Sequence, residues 1–227
     1  LERSIKKIIP ANDYGVFVVK GALIKTEANL NIGFIVEDNA DYVMLKGYLN
    51  NKLIPGTNDP AIDSYGDQPT GSNVYDITRL KSNPVVLVNH ENDASAIAGN
   101  YIYLMENEQG LQFKLILRPL TEVYEDSTKD AISAWAKAWG KSFSIGGKWF
   151  YNFEESKPEE NLYILVKAIL HEASLVAIGA DMHATSCAPD NGQSDESKNA
   201  LCGTLEIAID SYLKTEDDSL LVKELKI

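Results

Sequence analysis

Residues 140–150, GKSFSIGGKWF, constrain the fold more than any other stretch. A helical pattern stops at Gly140 and a strand-like run begins at once, so a helix hands over directly to a sheet. In a strand, residues i and i+2 share a face, so Ser142 and Ser144 point the same way. Gly146 and Gly147 carry no Cβ, and another backbone or a substrate can come close there. A hydroxyl beside bare N–H groups suits acyl transfer, in which the serine attacks and nearby donors hold the oxyanion. The plainer reading of the same residues is a half-buried strand with ordinary serines. One serine motif is excluded. The hydrolase elbow needs Gly-x-Ser-x-Gly between a strand and a helix, whereas the five residues from Gly140 read GKSFS and are entered from a helix.

That helix is expected over 127–139. Ser127 is a suitable N-cap with Asp130 at the third helical position, and Gly140 suits the left-handed position after the last turn. Ile132, Trp135, Ala136 and Trp139 fall on one face at helical spacing, so both tryptophans are read as core. They pack the helix on the sheet and fix where Ser142 and Ser144 emerge.

Most of the remaining chain reads as strand. Apolar runs at 14–24, 32–36, 42–49 and 85–88, a hairpin at 98–106 and 111–117, and a second hairpin at 143–153 and 162–170 give a mainly β chain with a few helices. Asn29, Asn31, Asp38, Asn39 and Asp41 punctuate the first strands, Glu106–Gly110 the first hairpin, and the charged run Glu154–Asn161 the second. A short helix is expected at 74–82, broken by Pro84. Residues 50–73 are polar and rich in Gly, Pro, Asn and Asp, so a long mobile surface loop is expected there. Three regions follow: one domain over 1–185 including that loop, a flexible linker at 186–200, and a tail at 201–227 that reads as helical.

Composition narrows the function. The chain has 227 residues, is 44% hydrophobic and 24% charged, and carries a net charge of −12. Nucleic-acid and anionic-membrane surfaces call for clustered positive charge, so neither is an expected partner. No apolar run approaches the roughly 18 residues of a membrane span, and the start lacks the apolar stretch of a signal peptide. Two cysteines, Cys187 and Cys202, make no secreted disulfide framework, which favours a reducing, intracellular setting. A bridge between these two has nothing in the sequence to support it. His171, His183, Cys187 and Cys202 are the available metal ligands. Only His183 and Cys187 come near the spacing of structural zinc, so no metal and no cofactor are expected.

Three residues remain as a constellation. His90 follows the buried run VVLV, where a rigid strand meets solvent. Ser144 lies in the strand already described. Glu172 lies near the end of LYILVKAILHEASLV. A serine, a histidine base and an acid that orients it form a triad, recognised by role rather than by chain order. Ser142 is an alternative nucleophile and His171 an alternative third member. Strict alternation sends His171 and Glu172 to opposite faces, so only one of them can serve.

In their order and spacing, Asn89-His90-Glu91, Ser144-Ile145-Gly146 and Leu170-His171-Glu172-Ala173-Ser174-Leu175-Val176 resemble the tailed-phage prohead proteases. These are capsid-maturation serine proteases related to herpesvirus assemblin. The resemblance covers about residues 14–185. It departs at Gly179-Ala180-Asp181, where that family usually has a proline-alanine-asparagine turn. It implies a small antiparallel β-barrel flanked by helices, with Ser144 as nucleophile, His90 as base, Glu172 as third member, and Gly146 and Gly147 in the oxyanion and substrate vicinity. The implied substrates are phage scaffold and major capsid proteins, cut inside the immature head in the host bacterial cytoplasm, with self-cleavage. A homo-oligomer is left open. The competing reading is a non-catalytic capsid assembly protein on the same fold.

Overall fold

The computed structural model describes residues 15–186. The expected linker at 186–200, apart from Ser186, and the expected tail at 201–227 lie outside the described residues. Among the described residues, nine strands and two short α-helices make a mainly β domain. β1 (Gly15–Lys20) and β2 (Asp41–Asn51) come first, then the short β3 (Asp67–Pro69) and β4 (Tyr75–Asp76). α1 (Thr78–Ser82), β5 (Val85–Val88), β6 (Ile97–Glu106) and β7 (Gly110–Leu117) follow. α2 (Asp126–Ala136), β8 (Phe143–Lys157) and β9 (Leu162–Leu175) complete the order.

All nine strands belong to one mixed sheet, in the order β1-β2-β7-β6-β5-β9-β3, with β4 and β8 also paired to β9. β9 is its axis. One edge of β9 pairs antiparallel with β8, and the other takes β3, β4 and β5 in turn, all parallel. Along this strand Ile164, Leu165, Ala168, Leu170, Ala173 and Leu175 are buried, while Val166 is exposed.

The expected antiparallel barrel is not what forms. The sheet is mixed, and among the described residues strand pairing does not close it: β1 pairs only with β2, and β8 only with β9. A short non-strand segment fills part of the seam between β2 and the start of β8. The Phe143 N–H donates to the Ala184 carbonyl at 2.9 Å, the Ser186 N–H to Lys141 at 3.1 Å, and the Tyr48 N–H to Thr185 at 3.4 Å.

The core is drawn chiefly from β2, β5, β6, β7, β9 and α2. Tyr101 meets Phe113 edge-on at 6.0 Å, and Phe113 meets Phe143 at 4.5 Å. Phe143 is fully buried, so this aromatic chain pins the first residue of β8 and thereby Ser144 beside it. In α2, Ile132, Trp135 and Ala136 are buried as expected, but Trp139 is 75% exposed and lies past the helix end. The helix starts at Asp126 with no side-chain cap, so Ser127 is not the N-cap. The left-handed residue at its end is Ala138, not Gly140. Gly140 instead lies against the Trp135 indole, where a Cβ would sit 2.2 Å from the ring.

Three further expectations change. Residues 32–36 alternate in exposure but find no partner strand, and Phe34 lies against Tyr42 instead. The region 74–82 divides into β4 and α1. Residues 50–73 are not a free loop. Asp67–Pro69 joins the sheet beside Tyr163–Leu165. Lys52 is buried, ion-paired with Glu106, and donates to the Gly71 carbonyl at 2.9 Å. Glu106 also accepts the Val74 and Tyr75 N–H groups at 3.0 and 2.9 Å. The polar residues that suggest a solvated loop are therefore internal ties.

Candidate active site

His90 owes its position to the backbone after β5. The Asn89 N–H extends the β5–β9 ladder by donating to the Leu175 carbonyl at 2.9 Å. Asn89 and His90 then both take left-handed conformations, with φ of +51° and +62°. Residues other than glycine rarely sit there, at a cost of roughly 1–2 kcal/mol each. The turn folds the imidazole back over β9.

On β9 it meets Glu172. Nδ1 of His90 lies 2.7 Å from Oε1 of Glu172. An ionised carboxylate can only accept, so Nδ1 carries the proton and Nε2 is left as the basic nitrogen. Oε2 of Glu172 accepts from the Ser174 hydroxyl at 2.6 Å. The pair is partly solvated, with side-chain exposures of 42% for His90 and 21% for Glu172.

Ser144 lies directly opposite Ser174 across the β8–β9 ladder, and Gly146 directly opposite Glu172. Opposed residues of antiparallel strands project on the same face, with Cβ atoms about 4.5–5.5 Å apart. Ser144, Ser174 and Glu172 therefore share the face over which His90 folds. The Ser144 hydroxyl has no hydrogen-bond partner among the described residues, His90 included. Catalytic hydrogen bonds often tighten only once substrate binds. Ser142 lies one pair farther from Glu172, in an isolated bridge with Thr185 and with its carbonyl taken by the Val176 N–H.

The ladder also corrects the alternation argument for His171. The register shifts between Gly146 and Gly147, which pair with Glu172 and Leu170, so His171 is the extra residue of a β-bulge. The inward residues on either side, Leu170 and Ala173, are both fully buried and three apart. Alternation thus fails to separate His171 from Glu172. The contact does: Glu172 holds the His90 ring, and His171 makes no side-chain hydrogen bond among the described residues.

The two glycines are occupied differently from the expectation of open backbone. A Cβ on Gly146 would fall 1.8 Å from Oε1 of Glu172, and one on Gly147 2.2 Å from the Ile169 carbonyl. Gly146 makes room for the carboxylate that holds His90. Gly146→Ala is therefore expected to displace Glu172, lowering turnover about 100-fold as misplaced catalytic groups do, at a stability cost of about 1–3 kcal/mol. Steady-state kinetics with urea unfolding checks this. A fully active, equally stable variant would mean that the carboxylate has another place to sit.

Beside Ser144 lies a cavity whose walls include Leu49, Asn50, Asp67, Phe143, Trp149 and Asp181. Burial raises the Asp67 carboxyl, with a further push from Asp63. Burial also raises Asp181, against the hydrogen bonds it accepts. Asp181 takes the Asn51 N–H at 2.6 Å, the Asn51 side-chain amide at 3.0 Å and the His183 N–H at 2.8 Å. The acid at the departed Gly179-Ala180-Asp181 turn thus ties that turn to the end of β2. Sequence reasoning had no signal for this, because Asn51 and Asp181 are 130 residues apart. Below the site the Tyr101 hydroxyl is buried without a partner. Burial, reinforced by the Glu172 carboxylate, holds it protonated far above its usual range. No three potential metal ligands converge among the described residues, and Cys187 and Cys202 lie outside them. No helix of the described residues is long and apolar enough to cross a membrane.

No protein-family model matches the chain, and no curated protein matches it. Solved structures do. The bacteriophage T4 capsid assembly protease, gp21, is 10% identical with a TM-score of 0.40, over 71% of this chain and 96% of that one. KSHV protease, solved with a hexapeptide phosphonate inhibitor, is 12% identical with a TM-score of 0.34, over 81% and 83%. Varicella-zoster virus protease is 15% identical with a TM-score of 0.32, over 75% and 85%. The neighbours are viral proteases. Likeness this distant assigns no activity to the chain, so any function must rest on its own side chains.

Proposed function

We propose that this chain is a serine endopeptidase that cleaves scaffold and capsid proteins during maturation of a phage head. The observation that carries the reading is the 2.7 Å contact between His90 Nδ1 and Glu172, on the sheet face that also bears Ser144. In the reaction the Ser144 oxygen attacks the scissile carbonyl carbon while Nε2 of His90 takes its proton. The imidazolium, stabilised by Glu172, passes that proton to the leaving amine as the C–N bond breaks. Water then attacks the acyl ester by the same route and frees Ser144. The assignment of Gly146 and Gly147 to the oxyanion vicinity comes from the sequence resemblance alone. Partner and compartment follow the sequence resemblance: scaffold and major capsid proteins, inside an immature head in the bacterial cytoplasm, with no cofactor.

A fluorophosphonate probe with intact-mass detection tests the activity class. One adduct per chain, blocked in Ser144→Ala, is the expected result. A chain that takes no adduct and cuts no scaffold protein is instead the non-catalytic assembly protein. The same preparation tests self-cleavage. Residues 186–200 have the polar composition at which proteolytic nicks concentrate. Aged protein is expected to lose mass from a cut in or beyond this stretch, and the Ser144→Ala chain to stay whole. An intact C-terminus at Ile227 under conditions where scaffold is cut counts against self-processing.

A further inference from the structure

The triad chemistry gives no part to Ser174, although its side chain is fully buried within the site. Its oxygen accepts the His90 N–H at 3.2 Å, and its hydroxyl proton goes to Oε2 of Glu172 at 2.6 Å. The other carboxylate oxygen holds Nδ1 of the same histidine at 2.7 Å. These bonds close a ring: His90 backbone to Ser174, Ser174 to Glu172, Glu172 to the His90 imidazole. The ring needs a hydroxyl at this corner. A backbone N–H only donates and a carboxylate only accepts, so the group between them must do both. Without it, one carboxylate oxygen and the N–H of a strained left-handed residue both lose their partners.

We propose that Ser174 is a positioning residue that grips His90 by its backbone and, through Glu172, by its ring. The inference rests on the reading of His90 as base and Glu172 as its orienting acid. Ser174 touches no reacting atom. It fixes the left-handed turn after β5 and the angle of the carboxylate together, so that Nε2 stays on the Ser144 side. Ser174 is also the residue directly across from Ser144, so the ring is anchored at the pair of β9 and β8 that carries the nucleophile.

The test uses the full chain with Ser174→Ala and Ser174→Cys. Cysteine keeps roughly the volume of serine, but its thiol is a weak donor and acceptor. If Ser174→Ala melts too low to assay, Ser174→Cys carries the test. Both variants are expected to lose about 10–100-fold in kcat, the usual cost of losing a supporting hydrogen bond behind a site residue, with KM within about twofold. Proton NMR supplies a second readout, the downfield resonance of the His90 Nδ1 proton, assigned by its loss in His90→Ala. It is expected to broaden or move upfield in both variants. A Ser174→Cys protein with wild-type kcat would show that the site needs the volume and not the bond, and would overturn the proposal. So would a resonance unchanged in both variants. If the wild-type protein neither cuts nor takes a fluorophosphonate, the protease reading fails, and the resonance alone decides whether Ser174 holds His90.

Discussion

Ser144→Ala is expected to lower kcat/KM by on the order of 10⁴-fold or more, the scale of losing a triad nucleophile, with the fold intact. Ser142→Ala is expected to stay within about threefold of wild type. The contrast follows from register, not from residue type. Ser144 opposes Ser174, whose oxygen touches both His90 and Glu172. Ser142 lies outside β8, its bridge with Thr185 belonging to the seam between β2 and β8. Kinetics on a scaffold-derived peptide, with circular dichroism as the fold control, checks the pair. A large loss in Ser142→Ala with Ser144→Ala active would move the nucleophile to Ser142 and break the link between reactivity and the β8–β9 register.

The second large effect is at Glu172, the proposed third member of the triad. Glu172→Gln keeps the shape of the side chain and removes its charge. It is expected to lower kcat by about 10²–10³-fold, with KM little changed. Removing the orienting acid of a buried triad costs about 10⁴-fold, and the partly solvated pair here should cost less. His171→Ala is expected to stay within about fivefold in kcat and to act mainly on thermal stability, because His171 forms the bulge of β9. The reverse ranking, with both variants folded, would make the triad Ser-His-His.

The parts of this protein legible in its sequence are those set by neighbours in the chain. The β8–β9 hairpin, the 85–88 strand that presents His90, and the buried face of α2 through Ile132 and Trp135 all follow from local pattern. What was not legible depends on partners far along the chain. Residues 50–73 look like a loop because Asp67–Pro69 is too short to read as a strand until Tyr163–Leu165 lies beside it. Residues 32–36 read as a strand by composition, yet they pair with no strand of the described sheet, and Phe34 lies against Tyr42 instead. Trp139 falls at helical spacing with Trp135, but the helix ends at Ala136 and leaves it in solvent. At the site, the three triad candidates were visible as residue types in order. The bulge at His171 was not, since only the ladder reveals that two residues oppose one. Gly146 stands out in the sequence for its missing side chain, but the space it leaves is filled by Glu172 rather than open to substrate.

The parallel pairing of β9 bears on when activity can arise. His90 and Glu172 are 82 residues apart, and Glu172 sits on the last strand among the described residues. The antiparallel strands β1, β2, β7, β6 and β5 have all their mutual partners by Leu117. Contacts that close such long loops form late and slowly. A nascent chain that has exposed everything through β8 already displays the serine and the histidine but has no acid between the histidine and the sheet. Under the proposed triad, catalytic competence is thus tied to completion of the described sheet, and no cleavage is expected before β9 is laid in.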